Sequence, residues 1–220
     1  MTIVDRIQAL ADHVFGTLDE VRDATARLAA TTDGGLRSTD LARLRPLLFE
    51  RLGPLIAGLG FIALPGLLPD SAWYLEWWQY DPDGPPKQLA AELDPAQPTF
   101  YDYTQWAWFT HPQNGLERSI CGPYVDYLCT DEYSLTFSVP VLVGGAFVGV
   151  AAADVFVRTF ETTLLPALKE LPGQTFVTNN EGRVIASNTA RWISGSVFRG
   201  SPAHTTQPIG RTGLSLVTAR

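Results

Sequence analysis

Two aspartates in this sequence lie where a carboxylate could bind a cation. Asp154 follows Val150-Ala-Ala-Ala153 in an apolar stretch that we predict to be a β-strand. A lone ionised carboxylate in such a strand is costly, so Asp154 needs a partner. A ligand ammonium is one such partner and a pair of backbone amides is the other; we favour the ammonium. Asp126 is the second candidate, although it could instead end a strand by accepting turn hydrogen bonds.

Aromatic residues could supply the rest of a cation site. They form 11% of the chain, include six Trp, and concentrate between Trp73 and Phe109. Ring faces attract cations, and alternate residues of a strand share a face. On the predicted strand Trp73–Tyr80 we expect one face to be a pocket wall: Tyr74, Glu76, Trp78 and Tyr80. We expect the other face to be core: Trp73, Leu75, Trp77 and Gln79. Such rings are more often core or interface residues, and this alternative stays open.

The sequence offers little support for catalysis. The three histidines, at positions 13, 111 and 204, lie far apart without the spacing of metal ligands. No Gly-x-Ser-x-Gly elbow, phosphate-binding glycine loop or Cys/His pair at a known interval is present. Asp126 and Asp154 could form an acid–base pair, but no other feature supports that chemistry. We therefore predict a protein that is not an enzyme and uses no metal or cofactor.

The net charge of −7 disfavours contact with the phosphates of a nucleic acid and favours a cationic ligand. The first thirty residues contain no apolar segment typical of a signal peptide. The most apolar stretch, 139–157, is interrupted by Pro140, three glycines and Asp154, so we predict no membrane span. From these features we expect a cytoplasmic protein. Its two cysteines, Cys121 and Cys129, would then be buried thiols.

The spacing of apolar residues predicts an α+β fold. A stripe with intervals of three and four, from Ile3 to Leu28, predicts a long helix over Thr2–Ala30, which either packs on its own chain or pairs with a second copy. Ser38 is expected to cap a second helix that ends near Gly53. Five antiparallel strands of a PAS-like sheet should follow: Gly60–Leu64, Trp73–Tyr80, Tyr124–Leu128, Ser134–Val143 and Ala146–Val157. A helix over Phe160–Leu171, a hairpin over Thr175–Ser187 and a strand over Gly213–Thr218 complete the prediction.

These elements suggest three segments. Residues 1–57 form the N-terminal helices, 58–160 the PAS-like ligand-binding module, and 161–220 a helix with a partial second module. We expect the ligand between the sheet and the Pro98–Leu128 insertion.

Several short motifs resemble those of the double-Cache family of extracellular sensor domains. They are Tyr101, Trp106-Ala-Trp108-Phe109, Gly122-Pro-Tyr-Val-Asp126, Ser138-Val-Pro140 and Gly149-Val-Ala-Ala-Ala-Asp154. In the amino-acid-binding branch of that family the pattern is Tyr, Arg five residues later, Trp-Tyr, Tyr-x-Asp and a distant Asp. The matching positions are Tyr101, Trp108, Tyr124, Asp126 and Asp154. Trp106 stands at the Arg position and Phe109 at the Tyr that follows Trp. The resemblance implies a PAS-like sensor whose second module is truncated.

The two departures suggest the class of ligand. An Arg fork holds a carboxylate through two charged hydrogen bonds, and an indole cannot replace it. The residues that hold an amine remain, which is similar to the amine-recognising branch of the family. We thus expect a small cationic amine, with Tyr101, Trp106 and Trp108 as an aromatic wall. Tyr124, Asp126 and Asp154 would hold the ammonium, and Glu76 and Trp78 would contribute from the sheet.

The signal would pass to an unidentified regulator or through a homodimer contact of the N-terminal helix. Two other ligand classes remain open on the same fold: a quaternary ammonium, and a small carboxylate or amino acid. A ligand-free interaction module is the remaining alternative.

Overall fold

The computed structural model describes residues 1–32, 34–125 and 132–219. Its contacts divide the chain into two compact units. One unit comprises Val14–Ser119 and Phe137–Asp154, and it is called the sheet unit below. The other comprises Met1–His13, Ile120–Thr136 and Val155–Arg220, and it is called the C-terminal unit.

Five α-helices and ten strands are found in the described residues. The helices are α1 (Ile3–Thr31), α2 (Ser38–Leu41), α3 (Arg45–Arg51), α4 (Ala107–Gln113) and α5 (Val157–Lys169), with 3₁₀ helices at Ala42–Leu44 and Tyr103–Gln105. The strands are β1 (Gly58–Ala63), β2 (Leu75–Gln79), β3 (Lys87–Gln88), β4 (Ser119–Val125), β5 (Tyr133–Val143), β6 (Ala146–Phe156), β7 (Thr175–Thr178), β8 (Val184–Ser187), β9 (His204–Ile209) and β10 (Leu214–Ala219). The α+β fold predicted from the sequence is confirmed.

Helix α1 follows the predicted apolar stripe closely. Ile7, Val14, Leu18 and Val21 have no exposed surface. Burial of such a stripe supplies most of the stability of an amphipathic helix. Because the stripe is covered within the chain, it is not available as the seam of a coiled coil with a second copy.

The second predicted helix is interrupted. A 3₁₀ turn follows α2, and α3 begins at Arg45 with Pro46 in its first turn. Proline lacks the amide hydrogen that a continuing helix would use, whereas the first turn does not need it. The sequence Ser38–Gly53 therefore forms two short helices instead of one.

Strand β1 is central in a six-stranded sheet of order β3-β2-β1-β6-β5-β4, where five strands were predicted. It pairs antiparallel with β2 on one side and with β6 on the other. The hairpin between β5 and β6 turns at Gly144 and Gly145, whose φ angles are 58° and 84°. Two successive positive φ angles are typical of a type I′ turn, which suits glycine.

The C-terminal unit contains α5 and a four-stranded sheet of order β8-β7-β10-β9. The predicted hairpin is β7 and β8, and the predicted last strand is β10. Strand β9 was missed because it is an exposed edge strand with the polar sequence His204-Thr-Thr-Gln-Pro-Ile209. Phe176, Val184 and Val217, on three of its strands, form a buried core cluster, and Trp192 and Phe198 pack against it.

Within the described residues, no helix is both long and apolar enough to cross a membrane.

Candidate functional site

The cross-strand register of the sheet unit assigns the candidate residues to its two faces. Gly58 lies opposite both Asp154 on β6 and Gln79 on β2, and Gly60 lies opposite Ala152 and Trp77. Side chains of directly paired residues point to the same side of a sheet. Asp154 and Trp77 therefore share a face, which we call the Asp154 face.

Asp154 is nearly buried on this face, with 4% of its surface exposed. Its main chain is fixed at the edge of the paired region, where its carbonyl accepts a hydrogen bond from the Ala57 amide at 2.8 Å. The neighbouring positions on the same face are Gly58, Gly60 and Ala152, which carry little or no side chain. The large side chain next to these small residues is that of Trp77, whose indole lies over Gly58.

Glu76 and Trp78 lie on the opposite face. Phe61 pairs with Glu76 and Ala151, and Leu59 pairs with Trp78 and Ala153. The sequence grouped Glu76 and Trp78 with Asp154, but the register separates them. The face of β2 that carries Trp77, which we predicted to be core, is the face on which Asp154 lies.

Glu76 has no exposed surface, and three donors reach its carboxylate. They are Arg45 Nε at 2.8 Å, the Tyr74 hydroxyl at 2.9 Å and Trp78 Nε1 at 2.6 Å. Arg45 also lies over the Trp78 ring, 5.1 Å from its centroid. The charge that Glu76 was expected to offer a ligand is therefore balanced by an arginine of the chain. Ligand contact by Glu76 or Trp78 stays a prediction.

These contacts shift two pKa values. The hydrogen bond from Arg45 to Glu76 is the largest cause that raises the pKa of the guanidinium above its usual value. Burial first, and then the hydrogen bond to Glu76, raise the pKa of Tyr74 to about 12. Both shifts keep the donors protonated, which stabilises the buried carboxylate. Sequence reasoning missed Arg45 because it lies 31 residues away from Glu76.

The described aromatic residues of the predicted Pro98–Leu128 insertion are called the aromatic insertion below. Tyr103, whose side chain is fully buried, holds it in place. Its hydroxyl donates to the Ala63 carbonyl at 2.9 Å, at the end of β1. Its ring contacts Trp73, with centroids 5.0 Å apart, and Phe109, with centroids 5.4 Å apart. Burial is the main cause that raises the pKa of Tyr103 to about 12. Sequence reasoning did not single out this residue, which anchors the insertion to the sheet.

The three predicted wall residues belong to this insertion. The rings of Tyr101 and Trp106 lie 6.5 Å apart, on either side of the 3₁₀ turn that Asp102 caps by accepting from the Thr104 amide. Trp108, in α4, is 5% exposed and packs edge-on against Phe109. Tyr101 and Trp106 are thus brought together, while Trp108 belongs mainly to the interior.

The remaining two candidates lie outside the sheet unit. Tyr124 is on β4 in the C-terminal unit, where its hydroxyl is hydrogen-bonded to that of Thr136. Asp126 lies outside the described residues. In the parts of the chain that the structure describes, no group of three or more His, Cys, Asp or Glu side chains is arranged to hold a metal ion.

No protein-family model matches this sequence, and no curated protein matches it. Solved structures, however, match it over nearly its whole length. The extracellular domain of soHK1S-Z6, described as a histidine kinase, has a TM-score of 0.69 at 16% identity, over 98% of this chain and 88% of that one. The ligand-binding domain of the amino acid chemoreceptor PctC of Pseudomonas aeruginosa PAO1, in complex with GABA, has a TM-score of 0.63 at 18% identity, over 98% and 94%. That of the Pseudomonas fluorescens chemoreceptor CtaA, in complex with L-alanine, has a TM-score of 0.66 at 14% identity, over 99% and 92%.

The cytoplasmic location that we expected from the sequence is wrong. Two of the matching structures, soHK1S-Z6 and mmHK1S-Z3, are extracellular domains. The expectation relied on a missing signal peptide, and that absence does not determine the compartment. The chain has the α+β fold of the Cache-like ligand-binding sensor domains of chemoreceptors and histidine kinases.

Proposed function

We propose that this chain is an extracytoplasmic sensor domain that binds a small cationic amine on the Asp154 face of its sheet unit. One observation carries the proposal: a nearly buried carboxylate lies beside three small residues, Gly58, Gly60 and Ala152. A carboxylate shielded from water attracts a cation more strongly than an exposed one does.

The aromatic insertion supports the same ligand class. Tyr101 and Trp106 present neighbouring rings, and ring faces attract ammonium groups. The net charge of −7 would also favour the approach of a cation. Ammonium contact by Tyr124 and Asp126 stays a prediction from the motif that they match.

The matching chemoreceptor domains favour an amino acid as the second candidate, since PctC was solved with GABA and CtaA with L-alanine. An amino acid would need a cation for its carboxylate, and Trp106 stands where the resemblance would place an arginine. The nearest arginine in sequence, Arg118, donates to Asp19 at 3.0 Å and lies over the Phe15 ring. We therefore rank the amine first.

The deciding experiment is calorimetric titration of the wild type and two variants with a panel of alkylamines, quaternary ammonium compounds, amino acids and carboxylates. Asp154→Asn removes the charge but keeps the shape, so we expect amine affinity to fall about 100-fold. Glu76→Gln is the matched control, because it alters a buried carboxylate on the opposite face; its affinity should stay within about threefold of wild type.

The outcomes separate the alternatives. Unchanged affinity in Asp154→Asn would remove this residue from the site. Binding of amino acids in preference to amines would establish the second candidate, and preference for fully methylated amines would indicate a quaternary ammonium ligand. If the folded wild-type protein binds no compound of the panel, the result would favour a ligand-free interaction module.

The output of the sensor would pass through a partner protein or a dimer contact. The apolar stripe of α1 is already buried, so a dimer would have to use another surface. Light scattering of the wild type with and without a binding amine would test ligand-dependent assembly.

A further inference from the structure

Trp77 carries a buried hydrogen-bond donor whose acceptor the sheet unit does not supply. Only 5% of the surface of Trp77 is exposed. No acceptor for its indole Nε1 is found in the described part of the chain. Buried donors are nearly always paired, because an unpaired one loses its hydrogen bond to water without replacement. Among the described residues, the indole N–H of Trp77 is therefore left without an acceptor, and a bound ligand would supply one.

The indole edge with this donor lies beside Asp154. A Cβ atom placed on Gly58 would lie 2.7 Å from Cζ2 of Trp77 and 3.2 Å from its Nε1. The N–H edge thus covers the backbone of Gly58, which is the cross-strand partner of Asp154. Paired residues of an antiparallel sheet have Cα atoms about 4.5–5.5 Å apart. The indole edge and Asp154 are consequently neighbours of the same residue, Gly58, on one face of the sheet.

The positions of β1 and β6 beside the two groups carry no large side chain. Gly58 and Gly60 lie on β1 between Trp77 and the strand that carries Asp154, and Ala152 is the next residue on the same face of β6. A side chain at Gly58 would occupy the position now taken by the indole edge. The indole of Trp77 therefore extends over β1, the strand that lies between Trp77 and Asp154.

We propose that Trp77 is a specificity-determining residue of the binding site and that the ligand is a short amino alcohol. This inference rests on the proposed function: the ammonium contacts Asp154, and the hydroxyl oxygen accepts a hydrogen bond from Trp77 Nε1. A neutral oxygen fits better than a carboxylate, because a carboxylate next to Asp154 would be repelled. Arg45, on helix α3, is bound to Glu76 on the other face.

Pairs of ligands of equal size test this assignment. Ethanolamine is compared with n-propylamine, and 3-amino-1-propanol with n-butylamine, so that each pair exchanges a hydroxyl for a methyl group. In calorimetric titrations of the wild type we expect the amino alcohol to bind about 10-fold more tightly. Trp77→Phe keeps an aromatic ring but lacks the N–H, so the preference should disappear while alkylamine affinity changes little. Asp154→Asn should weaken both members of each pair.

A spectroscopic readout tests the same hydrogen bond in the wild-type protein. The six Trp give separate indole N–H signals in a ¹⁵N correlation spectrum, and the signal missing from Trp77→Phe belongs to Trp77. In wild type, ethanolamine should move this signal downfield, and n-propylamine should not.

The failures are distinguishable. Equal affinity within each pair, together with an unmoved Trp77 signal, would overturn the role of Trp77 while Asp154-dependent amine binding remained intact. Absence of binding by all four amines would overturn the proposed function and this inference with it. Tighter binding of β-alanine than of 3-amino-1-propanol would replace the hydroxyl with a carboxylate and overturn the ligand class.

Discussion

Two buried carboxylates on opposite faces of one sheet have different surroundings. Glu76 accepts hydrogen bonds from Arg45, Tyr74 and Trp78, one of them charged. Asp154 lies beside the small residues of the other face. At the residue scale, Glu76 joins parts of the fold through its hydrogen bonds, and Asp154 is our candidate for contact with the ligand.

Loss of the cation next to Glu76 should destabilise the fold. Arg45→Met leaves a fully buried carboxylate with two neutral donors, and we expect the free energy of unfolding to fall by about 1–3 kcal/mol, below the value for a fully buried pair because Arg45 is partly exposed. Arg22→Met is the matched control: both arginine side chains are 37% exposed, but the partners of Arg22 are 30% and 53% exposed, whereas Glu76 is fully buried. Urea denaturation of both variants measures the difference. Equal losses of unfolding free energy in the two variants would show that the burial of Glu76 does not increase the effect of losing its arginine.

The raised pKa values of Tyr74 and Tyr103 predict a loss of stability at alkaline pH. Tyr74 and Tyr103 have folded-state pKa values of about 12, above the ordinary value of 10.0. Their contribution is present in full below pH 10 and is lost as the pH rises from 10 towards 12, because only the unfolded chain ionises there. Thermal unfolding at pH 9 and pH 11 should therefore show a smaller decline for Tyr103→Phe than for wild type. A decline of the same size in both proteins would contradict the assignment of Tyr103.

At the scale of elements, glycines at two positions have opposite roles. Gly58 lies on β1 under the Trp77 indole, whereas Gly16 is on the exposed side of α1 with no atom within 4 Å of an added Cβ. On the strand, the absence of a side chain at Gly58 makes room for the indole. On the helix, the absence of a side chain at Gly16 makes room for nothing, and glycine costs conformational entropy there.

Alanine at these two positions should consequently have effects of opposite sign. Gly58→Ala would displace the indole, and we expect it to lower the free energy of unfolding by about 1–3 kcal/mol and to weaken amine binding. Gly16→Ala should raise the free energy of unfolding by about 0.5–1 kcal/mol and leave binding unchanged. Denaturant melts and titrations of both variants provide the measurement. A stabilising Gly58→Ala would show that the indole does not need this space.

At the scale of the whole molecule, ligand binding should appear as thermal stabilisation. A ligand that binds only the folded state at 100 times its dissociation constant adds about 2.7 kcal/mol. For a chain of this length, we expect the melting temperature to rise by about 5–10 °C. n-Butanol, which has nearly the shape of n-butylamine without its charge, is the control and should leave the melting temperature unchanged. A rise of equal size with n-butanol would indicate apolar binding and contradict the amine proposal.

Much of the fold could be predicted because it depends on local spacing. Intervals of three and four between Ile3 and Leu28 determine α1, and Gly144-Gly145 determines the β5–β6 turn. Polar edge strands such as β9 have no comparable pattern, because their stability comes from pairing with a neighbour. The compartment was also beyond the sequence signals used, and similarity to extracellular domains corrected it.

For the candidate site, the alternation of strand β2 correctly divided Glu76 from Trp77, since successive side chains of a strand point to opposite faces. Which face belongs with Asp154 was a tertiary question. It depends on the register of β1 with both neighbouring strands, and the partner of Glu76 comes from Arg45 on a separate helix. Periodicity acts over a few residues, whereas cross-strand register and ion pairing join residues that are distant in sequence. The sequence therefore determined the types of residue available for an amine site, and only the tertiary structure decided that Trp77, and not Glu76, shares a face with Asp154.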